Sequence, residues 1–222
     1  MQFNILSAVP EFFDTVLDKS ILGRARKSGL VTFNILSLRD FAKGKEGGKK
    51  QVDDKPFGGG AGMILKIEPI DRALEYLEKK GEKGRVILTS AKGKIWNQKM
   101  AAEWAAKSEE EYKWVTIICG HYEGVDERVK ELIDEEISIG QFVLTGGEVA
   151  SLVMMDSATR LLEGVLGNKE SLAEESHGRE LGEVEYPQWT QPREYKGMGV
   201  PEILLSGDHG RIREWRRARH KN

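Results

Sequence analysis

Short apolar runs rich in β-branched residues recur between residues 3 and 139 and predict β-strands. The predicted strands are Phe3–Leu6, Val31–Leu36, Val86–Leu88, Val115–Cys119 and Glu136–Ile139. Each run is followed by a stretch of different periodicity, so the strands do not form simple hairpins.

Apolar residues recur at helical spacing in the stretches around these strands. The predicted helices are Pro10–Leu17, Pro69–Lys80, Trp96–Lys107, Val125–Asp134 and Val149–Leu162. Alternating strands and helices predict an α/β fold with a mainly parallel sheet and helices on both faces. The helix at 149–162 is the most apolar, and we expect it to be the most buried.

The composition changes after Gly167, which suggests a domain boundary. The sequence predicts a large domain at residues 1–167, a polar and acidic linker at 168–185 and a small, mainly helical C-terminal domain at 186–222. The last segment is too short to bury a sizeable core of its own.

The composition, 39% hydrophobic and 32% charged residues, is that of a globular protein. Cys119 is the only cysteine, which excludes an intramolecular disulfide. No apolar stretch reaches the length of about eighteen residues that a membrane helix needs, and no signal peptide is visible. We therefore expect a cytoplasmic protein that does not associate with membranes.

Basic residues are concentrated near the end of the chain, although the formal net charge is −2. The segment Ser206–Asn222 carries six lysines and arginines against two acidic residues. Such a segment binds nucleic-acid phosphates or is simply a solvated helix face, and charge alone does not separate the two interpretations.

Glycine-rich segments are the strongest candidates for a binding site. Four of the five residues Gly58–Gly62 are glycine, which is costly to order. The spacing matches neither a Walker A loop nor a dinucleotide fingerprint. The segment is a substrate-facing loop or a flexible surface loop.

Further glycine-bearing turns follow three of the strands, at Leu88–Gly93, Cys119–Gly124 and Ser138–Glu148. Ligands of open α/β sheets bind at the carboxyl ends of strands. These turns therefore form a pocket whose backbone groups bind a purine, or they are ordinary connections. The histidines lack metal-ligand spacing, and these residues alone do not distinguish an enzyme from a binding module.

Several ordered motifs carry a resemblance that covers nearly the whole chain. They are VDDKPFGGGAGM (52–63), CGHYEGVDER (119–128), DEEISIGQFVLTGGE (134–148), MMDSATRLLEGVLG (154–167), YPQWTQP (186–192) and VPEILLSGDH (200–209). Together they resemble the bacterial tRNA (guanine37-N1)-methyltransferase family of the SPOUT class.

The resemblance implies a trefoil knot in the carboxyl half of the first domain, whose loops bind the methyl donor S-adenosylmethionine. No general topology rule would have predicted a knot. The implied donor-binding residues are Leu88, Ser90, Gly120, Tyr122, Glu123, Ser138, Ile139, Gly140, Gln141, Phe142, Val143, Leu144, Gly146 and Gly147.

The resemblance also implies partners. It predicts a homodimer with each active site at the dimer interface, a tRNA anticodon stem-loop as substrate, and Mg²⁺ used during catalysis. We expect the C-terminal domain to bind the tRNA. The implied substrate-binding residues are Asp54, Gly58, Gly59, Gly60, Arg24, Arg213 and Arg216.

Methylation of guanine N1 requires removal of the N1 proton, and a cation stabilises the charge that moves to O6. The resemblance implies Arg160 as the cation and an aspartate in an Asp-Ser-Phe motif as the base. Here the stretch reads Glu175-Ser176-His177, so we assign the base to Glu175. An alignment without gaps from the YPQWTQP side places His177 there instead.

Other departures from the family are smaller. His121 stands where an arginine is frequent, and Thr89–Gly93 replaces a motif that resembles Leu-Ser-Pro-Gln-Gly. Two alternative functions remain: a SPOUT-type methyltransferase for another RNA position, and a non-catalytic RNA-binding relative. The loop at 53–62 and the tail motifs favour the guanine-N1 branch.

Overall fold

The computed structural model describes residues 1–44, 50–166, 175–178 and 181–219. The chain divides into two compact units, residues 1–167 and 168–222. Half of the predicted linker at 168–185, namely residues 168–174 and 179–180, lies outside the described residues. Within the described ranges, no helix is long and apolar enough to cross a membrane.

A parallel sheet forms the centre of the first unit, as the alternation of elements predicts. The strands of this unit are β1 (Gln2–Ser7), β2 (Thr32–Ser37), β3 (Asp53–Asp54), β4 (Ile64–Leu65), β5 (Arg85–Ile95), β6 (Trp114–Ile118) and β7 (Glu135–Ser138). The central sheet has the order β2-β1-β6-β5-β7, with every neighbouring pair parallel. Strands β3 and β4 form a separate antiparallel pair.

Helices connect these strands. They are α1 (Ser20–Lys27), α2 (Leu38–Phe41), α3 (Ile67–Lys79), α4 (Gln98–Ala106) and α5 (Glu148–Thr159). The predicted helices at 69–80, 96–107 and 149–162 correspond to α3, α4 and α5. The sequence pattern did not predict α1, whose buried positions are Leu22, Gly23 and Ala25.

Two predicted α-helices are wrong in type. Pro10–Phe13 and Glu127–Leu132 form short 3-10 helices instead. In the second, the side chain of Asp126 accepts a hydrogen bond from the Arg128 N–H and tightens the first turn. Ile133 is already extended, because the chain enters β7 two residues later.

Helices cover both faces of the sheet because successive strand residues point to opposite sides. In β6, Val115 and Ile117 belong to one hydrophobic cluster and Ile118 to the other. The first cluster includes buried residues of α1, α4 and α5, and the second includes those of α3. Helix α5 buries Met154, Met155 and Ala158 in the first cluster, so its prediction as a deeply packed helix is confirmed on that face.

Strand β5 changes register against β7, and this irregularity shapes the site. Both Thr89 and Lys94 pair with Ile137, so the residues between them leave the ladder. Gly93 allows this path, because a Cβ there would lie 2.5 Å from the backbone of Glu136. The loop that results stands at the carboxyl end of the sheet.

The second unit contains the hairpin of β8 (Glu194–Tyr195) and β9 (Met198–Gly199), followed by α6 (Glu202–Leu205) and α7 (His209–Arg217). The Asp208 side chain caps α7 by accepting a hydrogen bond from the Arg211 N–H at 3.0 Å. The rings of Trp189 and Trp215 pack edge to face at 5.6 Å. Aromatic contacts of this kind stabilise a unit with little buried core.

Candidate functional site

A cavity of about 870 Å³ opens at the carboxyl ends of β5, β6 and β7. Its wall is formed by the residues at 54–57, 64–66, 68, 88–92, 120–128, 130, 136–140, 142–147 and 150. All three predicted glycine-bearing turns contribute to it. This volume and position are those of a small-molecule site in an α/β protein.

Hydrogen bonds among Thr89, Gly120 and Gly147 join the three turns. The Gly120 N–H donates to Thr89 Oγ1 at 3.0 Å, and that hydroxyl donates to the Ile118 carbonyl at 3.1 Å. The Gly147 N–H donates to the Gly120 carbonyl at 2.7 Å. The cavity wall at this point is therefore a fixed arrangement of backbone groups.

The turn after β7 presents both backbone and apolar groups to the cavity. The Ser138 hydroxyl donates to the Gly140 carbonyl at 2.9 Å and accepts from the Gly140 N–H at 3.2 Å. Beyond it, Phe142 and Val143 are 54% and 87% exposed. Large apolar side chains left in water at a cavity mark a surface that a ligand or a partner covers.

The turn after β6 contains a strained residue. Tyr122 has a positive φ of 59°, which a bulky side chain rarely adopts. Its ring packs edge to face on His121 at 4.8 Å. The next residue, Glu123, lies against Gly62, where a Cβ would overlap the glutamate side chain. Non-glycine residues held in this conformation concentrate at functional sites.

Charged residues of the segment 126–130 line one part of the cavity, and the sequence pattern assigned them no role. Arg128 contacts Asp126 at 2.7 Å, and Lys130 contacts Glu127 at 2.5 Å. The hydrogen bond from Arg128 lowers the pKa of Asp126, and that from Lys130 lowers the pKa of Glu127. Their close spacing after the CGHYEG motif was the one signal in the sequence that would have indicated this charged rim.

The structure brings most of the predicted donor-binding residues to this cavity. Of the fourteen residues, Gln141 alone is not part of the cavity wall. Among the predicted substrate-binding residues in the first unit, Asp54 lines the cavity, whereas Gly58, Gly59 and Gly60 do not. These glycines have positive φ angles of 83°, 81° and 129°, which explains the glycine run by backbone conformation.

The remaining predicted residues lie elsewhere. Arg24 is in α1, and Arg160 follows the last residue of α5, where its N–H donates to the Asp156 carbonyl at 3.1 Å. Glu175 belongs to the second unit and is half-buried. The His177 Nδ1 accepts a hydrogen bond from the Gly182 N–H at 3.0 Å.

The predicted tRNA-binding arginines of α7 differ in their surroundings. Arg213 is exposed, whereas the Arg216 guanidinium lies over the Tyr186 ring at 4.7 Å. Within the described part of the chain, no three His, Cys, Asp or Glu side chains form a metal-binding cluster.

Comparisons with known proteins converge on one family. The profile of the family described as tRNA (Guanine-1)-methyltransferase TrmD matches residues 1–222. The tRNA (guanine-N(1)-)-methyltransferase of Desulfitobacterium hafniense is 48% identical over 98% of this chain and 79% of its own length. That of Dictyoglomus turgidum is 49% identical over 98% of this chain and 84% of its own length.

A solved structure shows the same architecture. The crystal structure of the tRNA (m1G37) methyltransferase from Aquifex aeolicus aligns with a TM-score of 0.79 at 41% sequence identity. The alignment covers 97% of this chain and 87% of that chain.

Proposed function

The chain belongs to the tRNA (guanine-1)-methyltransferase TrmD family, and we propose that it transfers a methyl group from S-adenosylmethionine to N1 of guanine 37 in tRNA, next to the anticodon. The observation that carries this proposal is the meeting of three glycine-bearing turns at one cavity of about 870 Å³. These turns contain the residues that the family resemblance assigns to the methyl donor.

The cavity fits S-adenosylmethionine in size and chemistry. Pockets for ligands of this size span about 300–1,000 Å³ and combine apolar surface with a few fixed polar groups. The turn from Ser138 to Leu144 supplies both, and we propose that it holds the adenine through backbone groups. The register change in β5 and the turn after β7 lie in the region for which the family resemblance implies a trefoil knot, and we include the knot in the proposal.

When bound, S-adenosylmethionine supplies an electrophilic methyl group. The chain's own residues must then prepare guanine, because N1 carries a proton in the neutral base. We propose that the Glu175 carboxylate removes this proton and that the Arg160 guanidinium stabilises negative charge at O6. The bond between His177 Nδ1 and the Gly182 N–H supports Glu175, because one imidazole nitrogen is already engaged.

The second unit carries positively charged side chains that can bind the phosphates of tRNA. Arg213 and Arg217 on α7 are exposed and near the basic end of the chain. We propose that they contact phosphates of the anticodon stem-loop, together with Arg24 on α1. The target guanine must leave its stack to be methylated, and Asp54 lies on the cavity wall where it would enter.

A homodimer is part of the proposal. Val149 and Val153 are 43% and 42% exposed, although they lie on the most apolar helix. Residues four apart form one stripe of a helix, so α5 presents an apolar stripe opposite its buried face. We propose that a second copy of the chain covers this stripe.

The proposal also includes Mg²⁺, which the family resemblance implies, and a cytoplasmic setting, which tRNA as substrate implies.

The test of the proposed function is incorporation of labelled methyl groups from S-adenosylmethionine into a tRNA transcript with guanines at positions 36 and 37. A transcript with adenine at 37 is the control. Mapping the product by a primer-extension stop should place the modification at N1 of guanine 37. Methylation elsewhere would indicate another RNA position, and tRNA binding without incorporation would indicate a non-catalytic protein.

A further inference from the structure

Three polar side chains next to the cavity form a connected group to which the proposed mechanism gives no role. Ser7 ends β1, His121 follows β6, and Glu148 begins α5. Glu148 is only 4% exposed although it is a glutamate. A buried carboxylate is costly unless polar partners satisfy its oxygens, so the contacts of this side chain reveal its role.

One carboxylate oxygen of Glu148 accepts a hydrogen bond from a neighbouring side chain. The Ser7 hydroxyl donates to Oε1 at 2.6 Å, and the same hydroxyl accepts from the Val9 N–H at 2.9 Å. The hydroxyl is thus oriented with its hydrogen toward Glu148. The position at the first turn of α5 also favours negative charge, because the amino end of a helix is electropositive.

The other carboxylate oxygen faces His121. Glu148 Oε2 lies 3.6 Å from His121 Nδ1, which is within ion-pair range but too long for a hydrogen bond. His121 Nδ1 is buried and forms no hydrogen bond with any residue that the structure describes. A buried nitrogen without a partner is unfavourable, so a small movement toward Glu148 stabilises both groups.

Movement of His121 affects two loops of the cavity. His121 forms an antiparallel bridge with Gly146, and the neighbouring Gly147 N–H bonds to the Gly120 carbonyl. The space is tight: a Cβ at Gly146 would overlap Glu148 Oε2 and lie 2.7 Å from His121 Nδ1. Glycine at 146 is therefore what allows the carboxylate and the imidazole to face each other.

We infer that Glu148 is a positioning residue for the donor pocket: held by Ser7, its carboxylate attracts His121 and fixes the turns 120–123 and 146–147 against each other. The inference rests on the proposed function in taking S-adenosylmethionine as the ligand of this pocket.

The first test can be carried out without S-adenosylmethionine. Amide hydrogen exchange at Gly147, whose N–H donates to the Gly120 carbonyl, is compared between the wild type and Glu148→Gln, which keeps the side-chain size but removes the carboxylate. Exchange should become about tenfold faster, the effect expected when a buried polar contact is lost. The control is Glu103→Gln, which removes an exposed carboxylate of α4 and should change nothing. Unchanged exchange in Glu148→Gln would overturn the inference.

A second, milder variant keeps the inference testable if Glu148→Gln does not fold. Ser7→Ala removes the hydrogen bond to Oε1 and retains the carboxylate. It should accelerate exchange at the Gly147 amide by a smaller factor than Glu148→Gln. Equal rates in Ser7→Ala and the wild type would likewise count against the inference.

The second test measures donor binding by calorimetry and turnover at saturating donor. Glu148→Gln should weaken S-adenosylmethionine binding about tenfold and lower kcat less than twofold. His121→Ala should weaken binding in the wild type but add little in the Glu148→Gln background. His121→Arg should retain binding within about twofold, since the guanidinium places a cation opposite the carboxylate.

These outcomes separate the two proposals. If the wild type binds the donor and the effects of Glu148→Gln and His121→Ala simply add, the inference fails and the proposed function stands. If the wild type does not bind S-adenosylmethionine, the proposed function fails, and the exchange rate at Gly147 still decides whether Glu148 positions the loops.

Discussion

Gly147 approaches Thr89 so closely that a Cβ at position 147 would overlap the threonine hydroxyl. The same hydroxyl accepts a hydrogen bond from the Gly120 N–H. The Gly120 carbonyl in turn accepts a hydrogen bond from the Gly147 N–H. The turns after β5, β6 and β7 therefore meet at one point, and they can do so only because residue 147 has no side chain.

The first prediction concerns this contact. Gly147→Ala should lower the free energy of unfolding by about 1–3 kcal/mol, since the methyl group forces the turns apart, and it should weaken S-adenosylmethionine binding. Urea denaturation and calorimetry measure the two effects. Gly199→Ala is the control, because a Cβ there meets nothing within 4 Å. Equal behaviour of the two variants would show that the close approach is unimportant.

Much of the fold could be predicted from the sequence because buried parallel strands are nearly continuous apolar runs. Val115–Cys119, for example, corresponds to β6 within one residue at each end. The sequence could not predict that Glu127–Leu132 forms a 3-10 helix, because the spacing of apolar residues indicates which side of a helix is buried and not its number of residues per turn. Val129 is buried in either case.

The candidate site also has parts that the sequence predicts and parts that it does not. Glycines after predicted strands indicated the turns that form the cavity, because ligands bind at the carboxyl ends of strands. The contact of Ser7 with Glu148 joins residues 141 positions apart, and no local pattern links them. The charged rim at Asp126–Lys130 was also missed, since such residues are usually solvated surface.

The second prediction concerns pH. Burial raises the pKa of the Cys119 thiol, and the nearby Glu148 carboxylate adds to the effect. In the unfolded chain the thiol ionises near pH 8.5, so above this pH the unfolded state binds fewer protons than the folded state and stability falls. The slope is about 1.4 kcal/mol per pH unit for one proton.

Cys119→Ala should remove this slope between about pH 9 and 10, whatever its effect on stability at neutral pH. The measurement is the free energy of unfolding in urea at half-unit pH intervals for both proteins, with a reductant present. Parallel curves for the wild type and Cys119→Ala over this window would contradict the prediction.

The third prediction concerns the basic helix. Replacing Arg213 and Arg217 together by glutamine should lower the slope of log K for tRNA against log salt concentration by about two, because about one counterion is released per phosphate contact. Binding measured at four or more salt concentrations gives the slope. Lys107→Gln, a lysine of the first unit paired with Glu103 and Glu111, is the control. An unchanged slope in the double variant would rule out phosphate contacts by these arginines.

The fourth prediction concerns assembly. Val153→Glu should shift the protein from dimer to monomer at micromolar concentration, because it places a charge in the exposed apolar stripe of α5. Sedimentation equilibrium measures the shift. Tyr76→Glu is a matched control, since Tyr76 is 42% exposed on α3. A wild type that is monomeric at these concentrations, or a Val153→Glu variant that remains dimeric, would refute the proposed interface.

The last prediction concerns the base. Glu175→Gln should lower kcat about 10²- to 10⁴-fold, the usual contribution of a general base, and leave S-adenosylmethionine binding unchanged. His177→Ala should lower kcat less than about tenfold, which is below the loss expected for a general base, because its backbone N–H, which donates to the Glu183 carbonyl, is retained. Single-turnover methyl transfer at saturating donor and tRNA isolates this step. Glu194→Gln, in the exposed β8–β9 hairpin, controls for loss of a carboxylate in the second unit. If His177→Ala abolishes turnover while Glu175→Gln retains it, the imidazole is the base and the alignment without gaps is the correct one.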